Sequence, residues 1–244
     1  MLMTQPMDYF ERIFIINLPS RTDRQAEIAA QLKAIGLSLE DVNLELFPAV
    51  RPDAAEGFPS VGARGCFMSH LGVLRAAQRL GLQRVAIFED DLDFVGDFNK
   101  RIQPLVEQLA CTDWSVFYGG YHLVHGSRGV CKGELVEAQP DELIGTTHFV
   151  VFQGEAIAAA VQYLENILAR PAGDPEGGPM HVDGAYNWFR RANPHFKTVL
   201  ASPELGFQRA SRTDIHDLRW YDSTPVVREA VAGLRLLKNA LVRR

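Results

Sequence analysis

The sequence predicts a layered α/β fold, in which helices flank a mostly parallel, mixed sheet. Short apolar runs of strand length alternate along the chain with longer segments of helical periodicity. The chain has 244 residues, and 47% of them are hydrophobic, which is enough for one sizeable core. We therefore expect one domain over residues 1–223, followed by a basic amphipathic helix over residues 224–244.

The first predicted elements are a strand and a helix. Residues 13–18 form an apolar run, and residues 20–35 repeat apolar side chains at helical spacing, with Ser20 as a candidate N-cap and Gly36 as a stop. The other expected strands cover residues 44–50, 85–88, 114–118, 147–152 and 198–201, and the other expected helices cover residues 66–80, 97–110, 155–168 and 182–191.

Glycine and proline predict the connections between these elements. Gly119 and Gly120 predict a turn, and the polar, glycine-bearing chain from there to Ile144 predicts a flexible loop over a site. Residues 171–179 contain three glycines and three prolines and predict a second loop.

Composition narrows the functional class. A net charge of −5 and a pI near 5.8 argue against a nucleic-acid partner. The cysteines Cys66, Cys111 and Cys131 are odd in number and widely spaced, which predicts neither a disulfide framework nor a zinc knuckle. Cys66 is expected to be a small, buried apolar residue. The N-terminus does not resemble a signal peptide, and no run of eighteen apolar residues occurs. We therefore expect a cytoplasmic protein without a membrane-spanning helix.

The strongest chemical signal is the apolar strand that ends in Glu89, Asp90 and Asp91. Ligands of open α/β sheets collect at the carboxyl ends of such strands, and a divalent cation would relieve the repulsion among three acids. Hard oxygen ligands favour Mn²⁺ or Mg²⁺. Because side chains alternate along a strand, Glu89 and Asp91 are expected to share a face and bind the metal, whereas Asp90 points away from them. Asp90 would then contact the sugar or ribose of a bound substrate or hold neighbouring backbone.

Two alternatives remain for these acids. They could be a solvated strand end that caps the next helix. Residues 91–95 also fit the nucleophile motif of haloacid-dehalogenase-like phosphatases, in which Asp91 would attack a phosphate.

Further candidates are scattered along the chain. Arg21 and Arg24 follow the first strand, where the start of a helix attracts phosphate, although each could be a surface arginine. His148 lies on an apolar strand and could bind substrate or be a core histidine. Asp183 opens a predicted helix, where it could be an N-cap or a general base at the edge of a cleft.

Taken together, four passages resemble glycosyltransferase family 25, the lipooligosaccharide-type galactosyltransferases. They are residues 16–18 with Arg21 and Arg24, residues 62–70, the acidic strand end, and a late set of Pro203, Leu205, Gln208 and Ser211 preceded by Asp183. The resemblance covers roughly residues 10–216. It departs from the family pattern at Ala63 and at residues 149–151, which leaves the donor and the acceptor open.

The resemblance implies a GT-A-type fold and a metal-dependent, inverting transfer from a UDP-sugar, most commonly UDP-galactose. The implied roles are base for Asp183, metal ligands for Glu89 and Asp91, donor contacts for Asn17, Leu18, Arg21, Arg24, Ser69, His70 and Asp90, and other substrate contacts for His148, Gln208 and Ser211. Asp214 is an alternative base. The acceptor would be a lipopolysaccharide, a lipooligosaccharide or another surface glycan, and the rival is a non-catalytic member that binds a glycan or a partner protein.

The segment over residues 224–244 carries an apolar stripe flanked by basic side chains. Such a helix could lie on an anionic membrane surface or pack on the domain. The first alternative would place the enzyme at the inner face of the cytoplasmic membrane, next to a lipid-linked acceptor.

Overall fold

The computed structural model describes residues 5–124 and 133–209. Its strands are β1 (Arg12–Asn17), β2 (Leu44–Pro48), β3 (Arg84–Glu89), β4 (Leu92–Phe94), β5 (Val116–Leu123), β6 (Glu134–Ala138), β7 (Ile144–Gln153), β8 (Thr198–Ser202) and β9 (Gly206–Gln208). Its α-helices are α1 (Thr22–Ala34), α2 (Val61–Leu80), α3 (Phe98–Cys111), α4 (Glu155–Ala169) and α5 (Val182–Ala192). A short 3₁₀ helix, Pro6–Tyr9, precedes β1.

The main sheet has seven strands in the order β2-β1-β3-β7-β5-β8-β6. Strand β7 is antiparallel to both of its neighbours, β3 and β5, and β6 is antiparallel to β8. The other five strands run in one direction, so the sheet is mixed and mostly parallel. Strands β4 and β9 form a separate antiparallel pair.

The sheet separates two hydrophobic cores. On β1, Phe14 and Ile16 pack in the core that contains α2, α4 and α5, whereas Ile13 and Ile15 pack in the core that contains α1 and α3. This alternation is the period of two expected for a strand that is buried on both faces. The predicted fold class, a mixed α/β sheet flanked by helices, is therefore confirmed.

Most predicted elements occur within a few residues of the expected bounds, because their periodicity was unambiguous. Helix α1 begins at Thr22 with Arg21 as its N-cap, so Ser20 is not the cap. Gly36 follows the end of this helix with a φ of 85°, a left-handed conformation that glycine adopts without strain.

The structure differs from the prediction at one turn and at the start of one helix. Gly119 and Gly120 lie inside β5 rather than in a turn. They are glycines for a packing reason, because a Cβ atom on Gly119 would fall 2.4 Å from the Phe149 ring of β7 and one on Gly120 would fall 2.3 Å from the His148 ring. Helix α2 begins at Val61 rather than at residue 66, and Ser60 caps it by accepting a hydrogen bond from the Ala63 N–H.

The expected loop up to Ile144 is also wrong in part, since residues 134–138 form β6, the edge strand of the main sheet. Residues 171–179 contain neither helix nor strand, as predicted. Ser211, Asp214 and the helix expected over residues 224–244 lie outside the described residues. Within residues 5–124 and 133–209, no helix combines the length and the apolar character needed to cross a membrane.

Candidate active site

A cavity of about 430 Å³ opens where β1 and β3 end. Because these strands are parallel neighbours, their carboxyl ends lie side by side at one edge of the sheet. Helix α2 and the chain after β2 form the opposite wall. The residues that line the cavity are Ile16, Leu18, Ser20, Arg21, Arg24, Ala49, Val50, Arg51, Pro52, Val61, Gly62, Gly65, Cys66, Ser69, Glu89, Asp90 and Asp91.

The three acids all line this cavity, although they do not alternate as predicted. Strand β3 ends at Glu89, and Asp90 and Asp91 form a tight turn into β4. The expectation that Asp90 points away from the other two acids is therefore wrong, because strand alternation stops where the turn begins. All three side chains are largely withdrawn from solvent.

Asp90 is the fully partnered member of the three. Its Oδ1 accepts a hydrogen bond of 2.7 Å from Arg24 Nη1, and its Oδ2 accepts one of 2.8 Å from Asn17 Nδ2. Arg24 is also buried, so this ion pair fixes the start of α1 against the end of β3. In this structure Asn17 and Arg24 hold Asp90, and Arg24 also lines the cavity.

Asp91 has an incomplete set of hydrogen-bond partners. Its Oδ2 lies 3.6 Å from Arg24 Nη1 and accepts a hydrogen bond of 3.3 Å from Gln208 Nε2, but its Oδ1 is buried and has no hydrogen-bond partner. Burial, reinforced by the charge of Glu89, raises the pKa of Asp91 to about 7. A buried carboxylate oxygen without a partner is costly to the free protein and is suited to binding a cation.

Glu89 is held by groups from outside β3. Thr147 of β7 donates a hydrogen bond of 2.6 Å to Glu89 Oε1, and His70 Nε2 lies 3.4 Å from the same oxygen. Burial raises the pKa of Glu89, but the adjacent His70 and the Thr147 hydroxyl outweigh that effect, so the pKa is lowered. Glu89 is therefore ionised at neutral pH.

Of the two predicted donor contacts on α2, Ser69 lines the cavity and His70 does not. Ser69 Oγ donates to the Gly65 carbonyl and accepts from the Val50 N–H, so it joins α2 to the chain after β2. A Cβ atom on Gly65 would fall 2.6 Å from the Val50 carbonyl oxygen, which explains this glycine as a close backbone contact. His70 is fully buried and does not line the cavity, so it would act on a donor only through Glu89.

The remaining predicted contacts lie at different distances from the acids. Leu18 and Arg21 line the cavity, and Arg21 donates hydrogen bonds to Asp23, the shortest at 2.8 and 2.9 Å. Gln208 is exposed and reaches Asp91 from β9. His148 is buried, and its Nε2 lies 3.3 Å from the Gly206 carbonyl oxygen; burial lowers its pKa, so it is neutral at pH 7.

Asp183 lies outside the cavity, in the first turn of α5, where His181 rather than Asp183 is the N-cap. It lines a separate recess of about 230 Å³ with Asn187, Trp188 and Arg191. Its carboxylate accepts hydrogen bonds from the Gly184 N–H at 2.7 Å and the Thr146 N–H at 3.3 Å.

The backbone of β7 connects this recess to the acids. Thr146, whose N–H bonds Asp183, has a φ of 63°, a left-handed conformation that is rare for a β-branched residue. The next residue, Thr147, bonds Glu89. Strain of this kind is often found at functional sites.

Sequence reasoning missed Cys66, Thr147 and Tyr186. Cys66 was expected to be a small buried apolar residue, but it lines the cavity, and burial together with Glu89 and Asp91 raises the pKa of its thiol. Tyr186 bonds His70 Nδ1 at 3.1 Å from α5, more than a hundred residues away along the chain. The spacing of Cys66 and His70, one helical turn apart, was the signal available in the sequence.

Comparison with known proteins relates the segment that forms most of this site to a glycosyltransferase family. The model of glycosyltransferase family 25, described as an LPS biosynthesis protein family, matches residues 10–123. Procollagen galactosyltransferase 1 of Danio rerio is 32% identical over 130 residues, which cover 46% of this chain and 21% of the relative. Procollagen galactosyltransferase 2 of Homo sapiens is 30% identical over 129 residues, with the same coverage of 46% and 21%.

Residues 10–123 carry a glycosyltransferase family 25 domain. This family 25 segment contributes the acids, Arg24 and the cavity wall of α2, whereas Thr147, Asp183 and Gln208 come from beyond it. A protein named probable inactive glycosyltransferase 25 family member 3, of Rattus norvegicus, is 27% identical over 129 residues, covering 46% of this chain and 23% of the relative. The chain thus spans less than a quarter of the length of these relatives.

A solved structure supports the fold beyond the family 25 segment. A glycosyltransferase involved in glycosylation of the major capsid of PBCV-1 superposes with a TM-score of 0.50 at 10% identity, covering 83% of this chain and 93% of that one. At that identity the likeness concerns the fold alone, which is that of GT-A-like glycosyltransferases.

Proposed function

We propose that this protein is a metal-dependent, inverting glycosyltransferase that uses a UDP-sugar, with UDP-galactose as the first candidate donor. The observation that carries the proposal is the unpartnered, buried Oδ1 of Asp91 at the wall of a 430 Å³ cavity. A cavity of this size falls in the range of small-molecule and cofactor sites. The family 25 segment supports the reaction class.

The acids fit a hard divalent cation. Asp91 offers an oxygen that no protein donor satisfies, and Glu89 offers a second carboxylate that is ionised at neutral pH. Oxygen ligands of this type suit Mn²⁺ or Mg²⁺, which need only one or two carboxylates when a substrate diphosphate provides further oxygens. When bound, the cation would stabilise the negative charge that develops on the departing diphosphate.

The other cavity residues would position the donor. Arg24 lies between Asp90 and Asp91, and it would keep these acids from repelling a diphosphate. Arg21 at the N-cap of α1 and Leu18 at the end of β1 would contact the nucleotide, because the first turn of a helix favours anions.

Asp183 remains our candidate for the base. In an inverting transfer the acceptor hydroxyl oxygen bonds to the anomeric carbon, the bond from that carbon to the diphosphate breaks, and UDP leaves with its electron pair. The hydroxyl proton would pass to the Asp183 carboxylate. The recess lined by Asp183 and Trp188 would then receive the acceptor sugar.

The deciding experiment is a screen of UDP-sugar turnover with Mn²⁺, in the presence and absence of simple sugar acceptors. We expect turnover of at least one donor and its loss on complete chelation. Undiminished turnover after chelation would contradict the metal dependence. Release of phosphate from an aryl phosphate, without use of any UDP-sugar, would instead favour the phosphatase alternative.

Replacement of the base provides a second test. Asp183→Asn is expected to lower kcat about 10²–10⁴-fold, because a positioned general base contributes about that factor. The two backbone hydrogen bonds end on different carboxylate oxygens, so the amide oxygen can accept only one of them, and circular dichroism should verify that the variant folds. Near-normal turnover would redirect the search to another carboxylate, with Asp214 as the first candidate.

The proposal also includes the acceptor and the location of the enzyme in the cell. The family description names LPS biosynthesis, which makes a lipopolysaccharide or lipooligosaccharide the first acceptor to assay. If residues 224–244 hold the enzyme at the inner face of the cytoplasmic membrane, truncation before Thr224 should lower its binding to anionic liposomes. Equal binding of the full and truncated chains would contradict membrane contact through this segment.

One observation favours a second candidate, a non-catalytic member that binds a glycan or a partner protein. Relatives named as inactive match this chain at 27% and 26% identity, close to the 30% of a relative named as a galactosyltransferase. Calorimetry separates the two candidates. Binding of UDP in the presence of Mn²⁺ would support the enzyme, whereas glycan binding without a response to UDP would support the binding protein.

A further inference from the structure

A second group of metal-ligand atoms lies beside the carboxylates. Cys66 and His70 are one turn apart on the same face of α2, and Glu89 ends the neighbouring strand β3. One ligand atom from each of these residues lies within 4.8 Å of the other two. The group therefore brings together a thiol, an imidazole and a carboxylate.

The imidazole is oriented towards this group. His70 is fully buried, and its Nδ1 lies 3.1 Å from the Tyr186 hydroxyl oxygen, which fixes the ring. Its Nε2 makes no hydrogen bond and faces Glu89. Metal-binding histidines commonly have this arrangement, in which one ring nitrogen is held by a hydrogen bond and the other is available to the ion.

The spacing of the atoms fits a small tetrahedral ion. His70 Nε2 and Glu89 Oε1 are 3.4 Å apart. Two such atoms, each about 2.0–2.1 Å from a tetrahedral zinc ion, would be separated by about 3.3–3.4 Å. Cys66 would need only a modest movement of its side chain to complete the set, since one ligand atom from each of the three residues already lies within 4.8 Å of the other two.

We propose that Cys66, His70 and Glu89 form a site for a thiophilic transition-metal cation of the Zn²⁺ class, open on its fourth side to the cavity. Cys66 and Glu89 line that cavity, so the open position faces the space into which a small ligand can enter. Three protein ligands with one open position are typical of reactive rather than purely structural zinc sites.

This site is different in chemistry from the oxygen site at Asp91. A thiolate and an imidazole select Zn²⁺ or Co²⁺ over Mg²⁺, whereas an oxygen-only site favours Mg²⁺ or Mn²⁺. Glu89 is common to both. On binding, the Cys66 thiol gives its proton to the solvent and the sulfur donates an electron pair to the ion.

The test is Co²⁺ binding to the metal-free full-length protein without any nucleotide, so its result does not depend on transferase activity. We expect a cobalt–thiolate charge-transfer absorption band that excess Zn²⁺ removes and excess Mg²⁺ does not. Cys66→Ser should abolish the band. The double variant Cys111→Ser/Cys131→Ser, which leaves Cys66 as the sole cysteine, should retain it.

A further variant tests the imidazole. His70→Gln should weaken Co²⁺ binding at least tenfold, because even loss of a group that only orients a ligand typically weakens metal binding about 10–100-fold. Circular dichroism would verify that each variant folds. Absence of a thiolate band in the wild-type protein, or its persistence in Cys66→Ser, would overturn the proposal whatever the variants do to folding.

Discussion

Two buried carboxylates, Asp91 and Asp93, are separated by one residue yet have opposite environments. Asp93 on β4 is fully buried and is held by Arg209, whose Nε lies 2.9 Å from Asp93 Oδ1 and whose guanidinium also contacts Glu27. Asp91 in the preceding turn shares Arg24 with Asp90 and keeps one oxygen without a partner.

The difference separates a structural carboxylate from a functional one. A buried charge with a complete set of partners contributes to a unique fold, whereas an incomplete set is retained only where another requirement maintains it. Judged by burial alone, Asp93 would be the stronger candidate for a functional carboxylate. Judged by hydrogen-bond partners, Asp91 is the stronger candidate, and the following predictions test that conclusion.

The largest expected effect is on catalysis. Asp91→Asn should lower Mn²⁺-supported turnover about a thousandfold, because a metal ion supplies several kcal/mol of transition-state stabilisation. Its melting temperature in metal-free buffer should equal or exceed that of the wild type, since a repelling charge is removed. Steady-state kinetics and calorimetry would measure both, and a strongly destabilised but active variant would reverse the comparison.

The second effect is on stability. Asp93→Ala should lower the free energy of unfolding by about 3–5 kcal/mol, because it leaves Arg209 without its buried partner. Asp113→Ala is the matched control: Asp113 pairs with Lys197 at 2.8 Å but is 83% exposed, so its removal should cost at most about 1 kcal/mol. Urea unfolding measures both values, and equal losses would show that burial does not distinguish the pairs.

Asp91 should make the free energy of unfolding depend on pH even when no substrate is bound. Its pKa is about 7 in the folded protein against an ordinary value of 3.8, so between these pH values the folded state retains a proton that the unfolded chain has released. The contribution of Asp91 to the free energy of unfolding is therefore complete below pH 4 and is lost as the pH rises through 7.

The variant Asp91→Asn isolates that contribution. The difference in unfolding free energy between the variant and the wild type should grow in favour of the variant from pH 5 to pH 8 in the presence of a chelator. Urea titrations at the two pH values would measure it. A constant difference would show that Asp91 titrates normally.

The smallest expected effect belongs to Gln208. It is exposed, and it contacts the acids through the 3.3 Å hydrogen bond to Asp91. Gln208→Ala should therefore cost less than about 1 kcal/mol of stability and change turnover about fivefold or less. A loss comparable to that of Asp91→Asn would make Gln208 a principal substrate contact.

The sequence predicted the elements whose packing is local in origin. The apolar runs of β1 and β3 and the helical periodicity of α1 to α5 placed the acids correctly at the end of a strand. Gly119 and Gly120 were misassigned to a turn because the reason for their small size, the rings of His148 and Phe149, is supplied by another strand.

The site was predictable only in part for the same reason. The three consecutive acids are visible in the sequence. Which of them lacks a hydrogen-bond partner depends on Arg24, Asn17 and Gln208, which lie on three other elements. Nothing local could show that Thr147 and Tyr186 hold Glu89 and His70, since these contacts form only when β7 and α5 pack beside them.

The glycine pair of β5 has a consequence for how such a protein can diverge. Any side chain larger than hydrogen at position 119 would collide with Phe149, and one at position 120 would collide with His148. Substitution at position 119 can therefore succeed only when Phe149 changes as well, whereas at position 120 the Gly206 carbonyl oxygen, 2.8 Å from the same Cβ position, would still collide if His148 changed. Among homologous sequences, positions 119 and 149 should covary, whereas position 120 should remain glycine. Any transplant of the site into another scaffold must move both strands as one unit.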